Sequence, residues 1–460
     1  AYPDIHESEY DFYGVGHTAT AVSAALGYSI DHPEYKSVAV VGDGSFTGGE
    51  VFEGLNHAGE LQTNLLVIYN DNGMSISENV GALHDKSRVL PYAMSLGFEY
   101  IGIADGHDTQ KLVETLEEIK KKKNPVFLHV ATIKGKGYKP AEKAPATFHW
   151  PSPYVIETGK PNTSSSGDNW FKHCYKKATE YLKKYNNVYF TTPAFIGWGL
   201  SDVKKEFPDR VIDTGINEQH CVTFSSALAL NNNRVFCCIA ATFLPRAFDQ
   251  IIDVCIQKIP MVFIMYFTGI GDGGYTHQAT YTFPMLGMLP NATIMHPCSL
   301  DEYDRLLDES LKIKGPVFLQ TADENFPVKP FAGSIAQMKK GKKLTILPLG
   351  NLMGKALKVA EQIGDVEVLY IPVLKPFNIK EFSRYVERTP KLLILEDGFI
   401  RGGIGEGIIH SLQETGVDVQ YDILGVKDIF PEQGSLDDVH KYVGLSNEDI
   451  IAAALRLIKK

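Results

Sequence analysis

Cysteine is scarce in this chain, and no two of its cysteines have C-x-x-C spacing. The six are Cys174, Cys221, Cys237, Cys238, Cys255 and Cys298 in 460 residues. This excludes a disulfide framework and leaves little room for a zinc or thioredoxin-like site. Cys237 and Cys238 are adjacent in a strand-like run and are expected on opposite faces. Buried free thiols of a reducing cytoplasm are the expectation. No apolar run reaches the ~18 residues that span a bilayer, and Ala1–Tyr10 is too polar and acidic for a signal peptide. No membrane contact is therefore expected. Excess basic charge is also lacking: 45 Lys and Arg face 55 Asp and Glu, a net charge of −10. A nucleic-acid footprint needs clustered basic charge, so no nucleic-acid partner is expected. The one basic run, Lys120–Lys123, ends a predicted helix, where cations suit the helix dipole. No repeat of 20–50 residues is visible, which excludes a solenoid.

Short apolar runs alternate with amphipathic stretches, as in α/β proteins with parallel sheets covered on both faces. The length, about three times the ~150-residue prior for one domain, fits several such blocks. In the first block the runs are Val38–Val41, Leu65–Tyr69 and Pro125–Ile133. A helical period at Leu112, Val113, Leu116 and Ile119 follows Asp108, its predicted N-cap. A Gly-, Pro- and Ser-rich stretch from Gly159 to Gly167 reads as linker. The second block has runs at Val188–Thr191, Arg234–Ile239, Met261–Phe267 and Val317–Leu319. The third has Leu344–Leu347, Val366–Ile371 and Leu392–Leu395, then a terminal helix over Ile450–Leu457. The expected division is 1–155, a linker over 156–168, 169–332, and 340–460.

The first block carries the chemistry-bearing motif. Val38–Val41 runs into Gly42-Asp43-Gly44-Ser45, and Leu65–Tyr69 runs into Asn70-Asp71-Asn72. If the two strands are parallel neighbours, both ends lie at one carboxyl edge, where α/β ligands bind. Glycines there let backbone approach a phosphate. Asp43 and Asn72 then offer hard oxygen ligands to Mg²⁺, which takes few protein ligands and completes its shell with water and phosphate. The bland reading of Asp43 is a helix cap, and that of Glu218 a surface carboxylate.

The paired motif resembles that of thiamine-diphosphate enzymes, and the chain resembles the 1-deoxy-D-xylulose 5-phosphate synthase family of the transketolase superfamily. The likeness extends through Gly16-His17-Thr18, Thr47-Gly48-Gly49, the stretch Asn70–Leu83, Asp105–Asp108, Lys134–Tyr138 and Phe148-His149. It continues in Gly215–His220, Thr242-Phe243, Thr276-His277-Gln278 and Gly402-Gly403. The resemblance implies three doubly wound domains of transketolase-like type: diphosphate-binding, pyrimidine-binding and C-terminal. It implies thiamine diphosphate and Mg²⁺, with Asp43, Asn72 and the carbonyl of Met74 on the metal. Gly16, His17, Thr18, Gly42, Gly44, Ser45 and Tyr138 would surround the cofactor, and Phe243 would stack on its pyrimidine. Glu218 would bind N1′, a position suited to one short charge-assisted hydrogen bond. His277 and His149 would face the reacting centre as proton carriers, since their ordinary pKa is near neutral. The implied reaction passes a two-carbon unit from a 2-oxoacid or ketose donor to an aldehyde acceptor. A 2-oxoacid dehydrogenase subunit and a non-catalytic paralogue are the competing readings. A homodimer is expected.

Departures from the family pattern bear on the acceptor. Two arginines that grip substrate phosphate in the family are replaced here by Thr268 and Gln320, with Asp323 and Glu324 close by. Ala240-Ala241 replaces a tyrosine before Thr242-Phe243, and Asp272-Gly273-Gly274-Tyr275 shifts an acid by one position. An unphosphorylated acceptor is the expectation, with Arg246 or Lys329 as the alternative phosphate grip. At the front, a segment carrying another active-site histidine is absent, and a loop after Leu83 is reduced to His84–Ser95. The chain, which starts at Ala1, is expected either to be trimmed or to be completed by a second polypeptide.

Overall fold

The computed structural model describes residues 4–14, 16–76, 78–151, 153–162, 170–194, 200–321 and 325–459. Contacts divide the chain into two compact units. The first comprises Ala1–Gly167, Thr192–Lys205 and Ile212–His220; the second comprises Asp168–Thr191, Glu206–Val211 and Cys221–Lys460.

The first unit is built on four strands: β1 (Ser37–Gly42), β2 (Leu65–Asp71), β3 (Glu99–Ile103) and β4 (Val126–Ala131). Their order is β1-β2-β4-β3, and every pair is parallel. The three expected runs form β1, β2 and β4. Leu65, Val67 and Tyr69 point one way and pack with Phe46 and Phe127 under helices Ala21–Asp31 and Gly49–Leu61. Leu66, Leu128 and Val130 point the other way and pack with Ile119 of helix Thr109–Ile119. The period of 2 thus feeds two cores from one sheet. Asp108 caps that helix as expected: its carboxylate accepts the Lys111 N–H, and Lys120 closes the C-terminus. The edge strand β1 departs from the buried pattern, with Val38 and Val40 43% and 64% exposed.

The remaining strands form two further sheets, built mostly from residues of the second unit. One contains β5 (Val188–Thr192), β6 (Val211–Asp213), β7 (Arg234–Ala240), β8 (Val262–Tyr266), β9 (Thr293–Met295) and β10 (Val317–Gln320). The other contains β11 (Ala336–Lys339), β12 (Leu344–Leu349) and β13 (Val366–Tyr370). The chain then sends β14 (Val373–Lys375) back to the first of these sheets before adding β15 (Lys391–Phe399) and β16 (Gln420–Val426) to the second. The orders are β14-β9-β10-β8-β7-β5-β6 and β11-β13-β12-β15-β16. Strands β7, β8, β10 and β12 are buried nearly throughout, which explains their continuous apolar runs. Cys237 and Cys238 face opposite ways yet are both buried, because both faces of β7 are covered. All six cysteines are free and buried. The short strands β3, β6, β9, β11 and β14, and the longer but partly exposed β16, form no apolar run in the sequence; β11 and β14 pair antiparallel at sheet edges. The terminal helix runs Asn447–Lys459. Among the described residues no helix is long and apolar enough to cross a membrane.

Candidate active site

The register of β1 against β2 places Gly42 opposite Asn70. Asp43 and Asn72 therefore emerge at the same carboxyl edge. The Asp43 carboxylate is buried; Oδ1 accepts the Gly44 N–H at 2.9 Å, and Oδ2 accepts the Asn72 N–H at 2.9 Å and the Gly73 N–H. A carboxylate offers about four lone-pair positions, so one remains on Oδ1. The Asn72 Oδ1 accepts the Met74 N–H at 3.1 Å and keeps its second lone pair. Met74 bridges to Glu78, and the Asn79 N–H donates to the Gly73 carbonyl at 3.2 Å. Ser77, inside this turn, lies outside the described residues. Asn79 contributes a further oxygen: its buried Oδ1 has no partner among the described residues, and Asn79 lines the same narrow recess as Asp43. Among the described residues no three His, Cys, Asp or Glu side chains converge on a metal position. One carboxylate with amide oxygens is instead the ligand set of Mg²⁺ held with phosphate and water.

The glycines fit backbone to backbone. A Cβ on Gly44 would stand 2.5 Å from the Ser75 Cβ, and one on Gly48 would stand 2.7 Å from the Ala19 Cβ. Ala19 is held at φ +77° directly after Gly16-His17-Thr18, so that turn leans on the loop begun by Gly42 and Ser45. Gly215, at φ +79°, brings its Cα within a Cβ's reach of Val80 and Thr47, and Ile216 presents its carbonyl toward Gly48. The segment leading into helix Glu218–Leu230 thus packs on the phosphate-type loop within one chain. Glu218 opens that helix and is only 3% exposed, so it is no surface carboxylate.

Lys134 joins this group. Its Nζ donates to the Ser75 carbonyl and lies 3.0 Å from Nδ1 of His149. Burial lowers the Lys134 pKa, opposed by Asp43. Burial, then the Lys134 charge, lowers that of His149. Behind Asn72, the buried Asp71 accepts from His129 Nε2 at 2.8 Å and from Lys86 Nζ at 2.9 Å; Tyr100 OH meets His129 Nδ1 at 2.7 Å. Tyr138 packs against Phe148 and Tyr154 and donates to the Ile156 carbonyl at 2.6 Å. His107 accepts the Ile133 N–H at 2.9 Å, a structural bond.

Asn79 and Lys134 lie in the family-like stretches Asn70–Leu83 and Lys134–Tyr138 but carry no expected role, and Lys86 and His129 are not singled out. His129 did leave a signal: it is the one polar side chain in the apolar run Val126-Phe127-Leu128-His129-Val130.

In the second unit, Phe243 and His277 meet edge to face, with ring centroids 5.7 Å apart at 90°. The His277 Nδ1 pairs with Thr276 Oγ1 at 3.0 Å, and Thr242 Oγ1 donates to the Thr276 carbonyl at 3.0 Å. This ties Thr242-Phe243 to Thr276-His277. Thr268, just beyond β8, is buried and donates to the Thr321 carbonyl at 3.1 Å. Gln320 ends β10 in register with Met265 of β8 and is 1% exposed. Neither its Nε2 nor its Oε1 has a partner among the described residues. Asp323 and Glu324 lie outside the described residues.

Comparison with known proteins now sets this geometry in a family. A family model for 1-deoxy-D-xylulose-5-phosphate synthase matches residues 1–93 and 86–132, in two pieces that overlap at 86–93, within the stretch His84–Ser95. Models for the transketolase pyrimidine-binding and C-terminal domains match 168–329 and 333–450. A 1-deoxy-D-xylulose-5-phosphate synthase of Pelotomaculum thermopropionicum is 32% identical over 521 residues, covering 99% of this chain and 81% of its own length. That of Anaeromyxobacter dehalogenans is 35% identical over 532 residues, covering 99% and 83%. Both matched spans exceed the 460 residues of this chain, so these relatives carry internal stretches that it lacks. Among solved structures, a transketolase from Campylobacter jejuni has a TM-score of 0.53 at 19% identity, covering 96% of this chain and 82% of its own. A split-gene transketolase, described as an inactive β4 tetramer, has a TM-score of 0.57 at 23% identity, covering 63% and 98%. The structural likenesses show the transketolase-like fold. The free oxygens of Asp43, Asn72 and Asn79, and the glycine cradle at Gly44 and Gly48, fit Mg²⁺ and a diphosphate. The chain belongs to the 1-deoxy-D-xylulose-5-phosphate synthase family and is a thiamine-diphosphate- and Mg²⁺-dependent carboligase, a transferase of aldehyde or ketone residues.

Proposed function

We propose that this enzyme transfers a two-carbon unit from pyruvate or a ketose to an aldehyde that carries no phosphate. The observation that supports the acceptor reading is Gln320, a buried neutral amide with no partner among the described residues, at the position where the family pattern leads one to expect an arginine. Each charged hydrogen bond to phosphate contributes about 1.5–3 kcal/mol, and a neutral Thr268 and Gln320 supply none. An unsatisfied amide is suited instead to a hydroxyl or carbonyl of a neutral aldehyde.

In this reading Asp43, Asn72 and the Met74 carbonyl hold Mg²⁺, with Asn79 beside them. Gly42, Gly44, Ser45 and the Gly16–Thr18 turn make room for the diphosphate, and Tyr138 belongs to the wall. Bound thiamine diphosphate supplies the carbon nucleophile and the electron sink. Glu218 holds a proton at N1′, where burial strengthens a charge-assisted hydrogen bond. Phe243 stacks on the pyrimidine. His277 and His149 move protons at substrate oxygens. With pyruvate, the donor's carboxylate leaves as CO₂. The acceptor's carbonyl carbon gains the new C–C bond, and its oxygen gains a proton. With a ketose, the donor's C2–C3 bond breaks instead, and an aldose leaves. The domain division at 1–155, 169–332 and 340–460 is part of the same proposal.

Turnover of pyruvate with a panel of unphosphorylated aldehydes, scored for CO₂ and for ligated product, tests this function. Ligated product from at least one neutral aldehyde is expected. CO₂ release without ligation, or no turnover, would contradict it.

We infer a homodimer as well. Val38 and Val40, exposed on a strand whose partners are buried, support an apolar contact there. A monomeric mass in solution would refute it.

A further inference from the structure

The turn that carries Thr268 is strained. It leaves β8 with Phe267 at φ +54° and Gly269 at φ +78°. A bulky residue with positive φ is unfavourable and persists only where its surroundings hold it.

Asp397 of β15, in the other sheet, does the holding. It is 2% exposed. Its Oδ1 accepts the Ile270 N–H and its Oδ2 the Asn351 N–H, each at 2.8 Å. Two glycines close on it. A Cβ on Gly269 would stand 2.1 Å from the Asp397 Oδ2, and one on Gly350 would stand 2.4 Å from the Asp397 Cβ. Asn351 passes the constraint on, since its Nδ2 donates to the Thr268 carbonyl at 3.2 Å. One buried carboxylate thus fixes the backbone on both sides of Gly269. The Thr268 hydroxyl then reaches the Thr321 carbonyl, next to Gln320.

The loop of His277 is anchored differently. The Ala279 N–H donates to the Gly269 carbonyl at 3.0 Å, and the Phe399 N–H donates to the Thr280 carbonyl at 2.8 Å. Gln278, buried, donates from Nε2 to the carbonyls of Pro431 and Glu432 at 3.3 and 3.4 Å. Only the first of these anchors passes through the Thr268 turn, so the others keep His277 in place when that turn moves. The turn has room to move: Ile270, Asn351 and Asp397 border a cavity of about 300 Å³.

We propose that Asp397 is a positioning residue for the aldehyde acceptor, holding Thr268 beside Gln320 without acting on the donor. This rests on the reading of Thr268 and Gln320 as contacts of the acceptor. A carboxylate that served only the end of helix Met353–Ile363 would act on stability alone.

Asp397→Asn keeps the size of the side chain but offers one acceptor oxygen to two N–H groups and sets its own amide against the second. Steady-state kinetics of the full chain with thiamine diphosphate and Mg²⁺, using the donor and the aldehyde that the parent turns over best, tests the proposal. The KM for the aldehyde is expected to rise about tenfold or more, while kcat at saturating aldehyde and the KM for the donor stay within about twofold of the parent. Asn351→Ala removes the bond to the Thr268 carbonyl and leaves the Asp397 carboxylate in place. It is expected to raise the aldehyde KM as well, and it serves if Asp397→Asn misfolds. Which aldehyde the parent prefers bears only on the acceptor reading, and the split between the two KM values bears only on Asp397, so the two fail separately. The proposal is overturned if folded variants keep the parent's aldehyde KM, if kcat alone falls, or if both KM values rise together.

Discussion

Lys134 holds its Nζ 3.0 Å from Nδ1 of His149 while donating to the carbonyl of Ser75. One lysine thus fixes both the loop after Asn72 and the imidazole proposed to carry protons. Burial and then the lysine charge lower the pKa of His149, so its ring is neutral at pH 7 and accepts from the lysine. A histidine with a depressed pKa contributes stability above its unfolded pKa and loses it as pH falls through the folded value. Lys134→Met removes the charge and raises that pKa. The acid limb of kcat/KM is expected to move to higher pH, and the NMR titration of the His149 ring to move with it. An unchanged titration would separate the two residues.

Asp71 gives the same sign from a different balance of causes. Burial pushes its carboxyl up, but hydrogen bonds from His129 and Lys86 outweigh this and hold it below the ordinary range. Its stabilisation is present above the unfolded pKa and is lost as pH falls through the folded one. Lys86→Met removes one of those donors and raises the folded pKa. Acid unfolding of the variant, followed by circular dichroism, should begin at a higher pH than in the parent. Unfolding at the same pH would show that Lys86 contributes nothing there.

Asp43 has two tasks, accepting three backbone N–H groups and offering its remaining lone pair to a cation. Asp43→Asn sets an amide donor against those donors, at a cost of about 1–3 kcal/mol. It also removes the charge that attracts Mg²⁺. Cofactor at a hundred times its Kd should stabilise the parent by about 2.7 kcal/mol. Thermal melts with thiamine diphosphate and Mg²⁺ should show that gain in the parent, lose it on chelation with EDTA, and never show it in the variant. A cofactor-dependent shift retained by Asp43→Asn would remove Asp43 from the metal.

Glu218→Gln keeps shape and burial and removes the carboxylate. Exchange of the cofactor's C2 proton for deuterium, read by NMR after acid quench, is expected to slow at least about 10²-fold, the scale of a positioned acid–base group. Equal exchange rates would leave Glu218 a purely structural residue.

What was legible follows from which physics is local. Long buried strands such as β2, β4, β7 and β12 announced themselves as apolar runs, and Asp108 as a cap, because burial and capping act on neighbouring residues. Strand β3 is interrupted by Gly102 and only partly buried, while β11 and β14 are short antiparallel edges, so none leaves a run to read. At the site, Asp43 and Asn72 were legible from paired strand ends. The roles of Lys134, read only as the start of a family-like stretch, and of Lys86 were not, since each acts through a partner distant in sequence: Lys134 through Ser75, Lys86 through Asp71.

The central claim concerns the acceptor, and the ratio of kcat/KM for D-glyceraldehyde to that for D-glyceraldehyde 3-phosphate, with pyruvate as donor, tests it most directly. Buried and neutral Thr268 and Gln320 predict a ratio above one. A preference of about tenfold or more for the phosphorylated aldehyde, the worth of one charged hydrogen bond to phosphate, would contradict it.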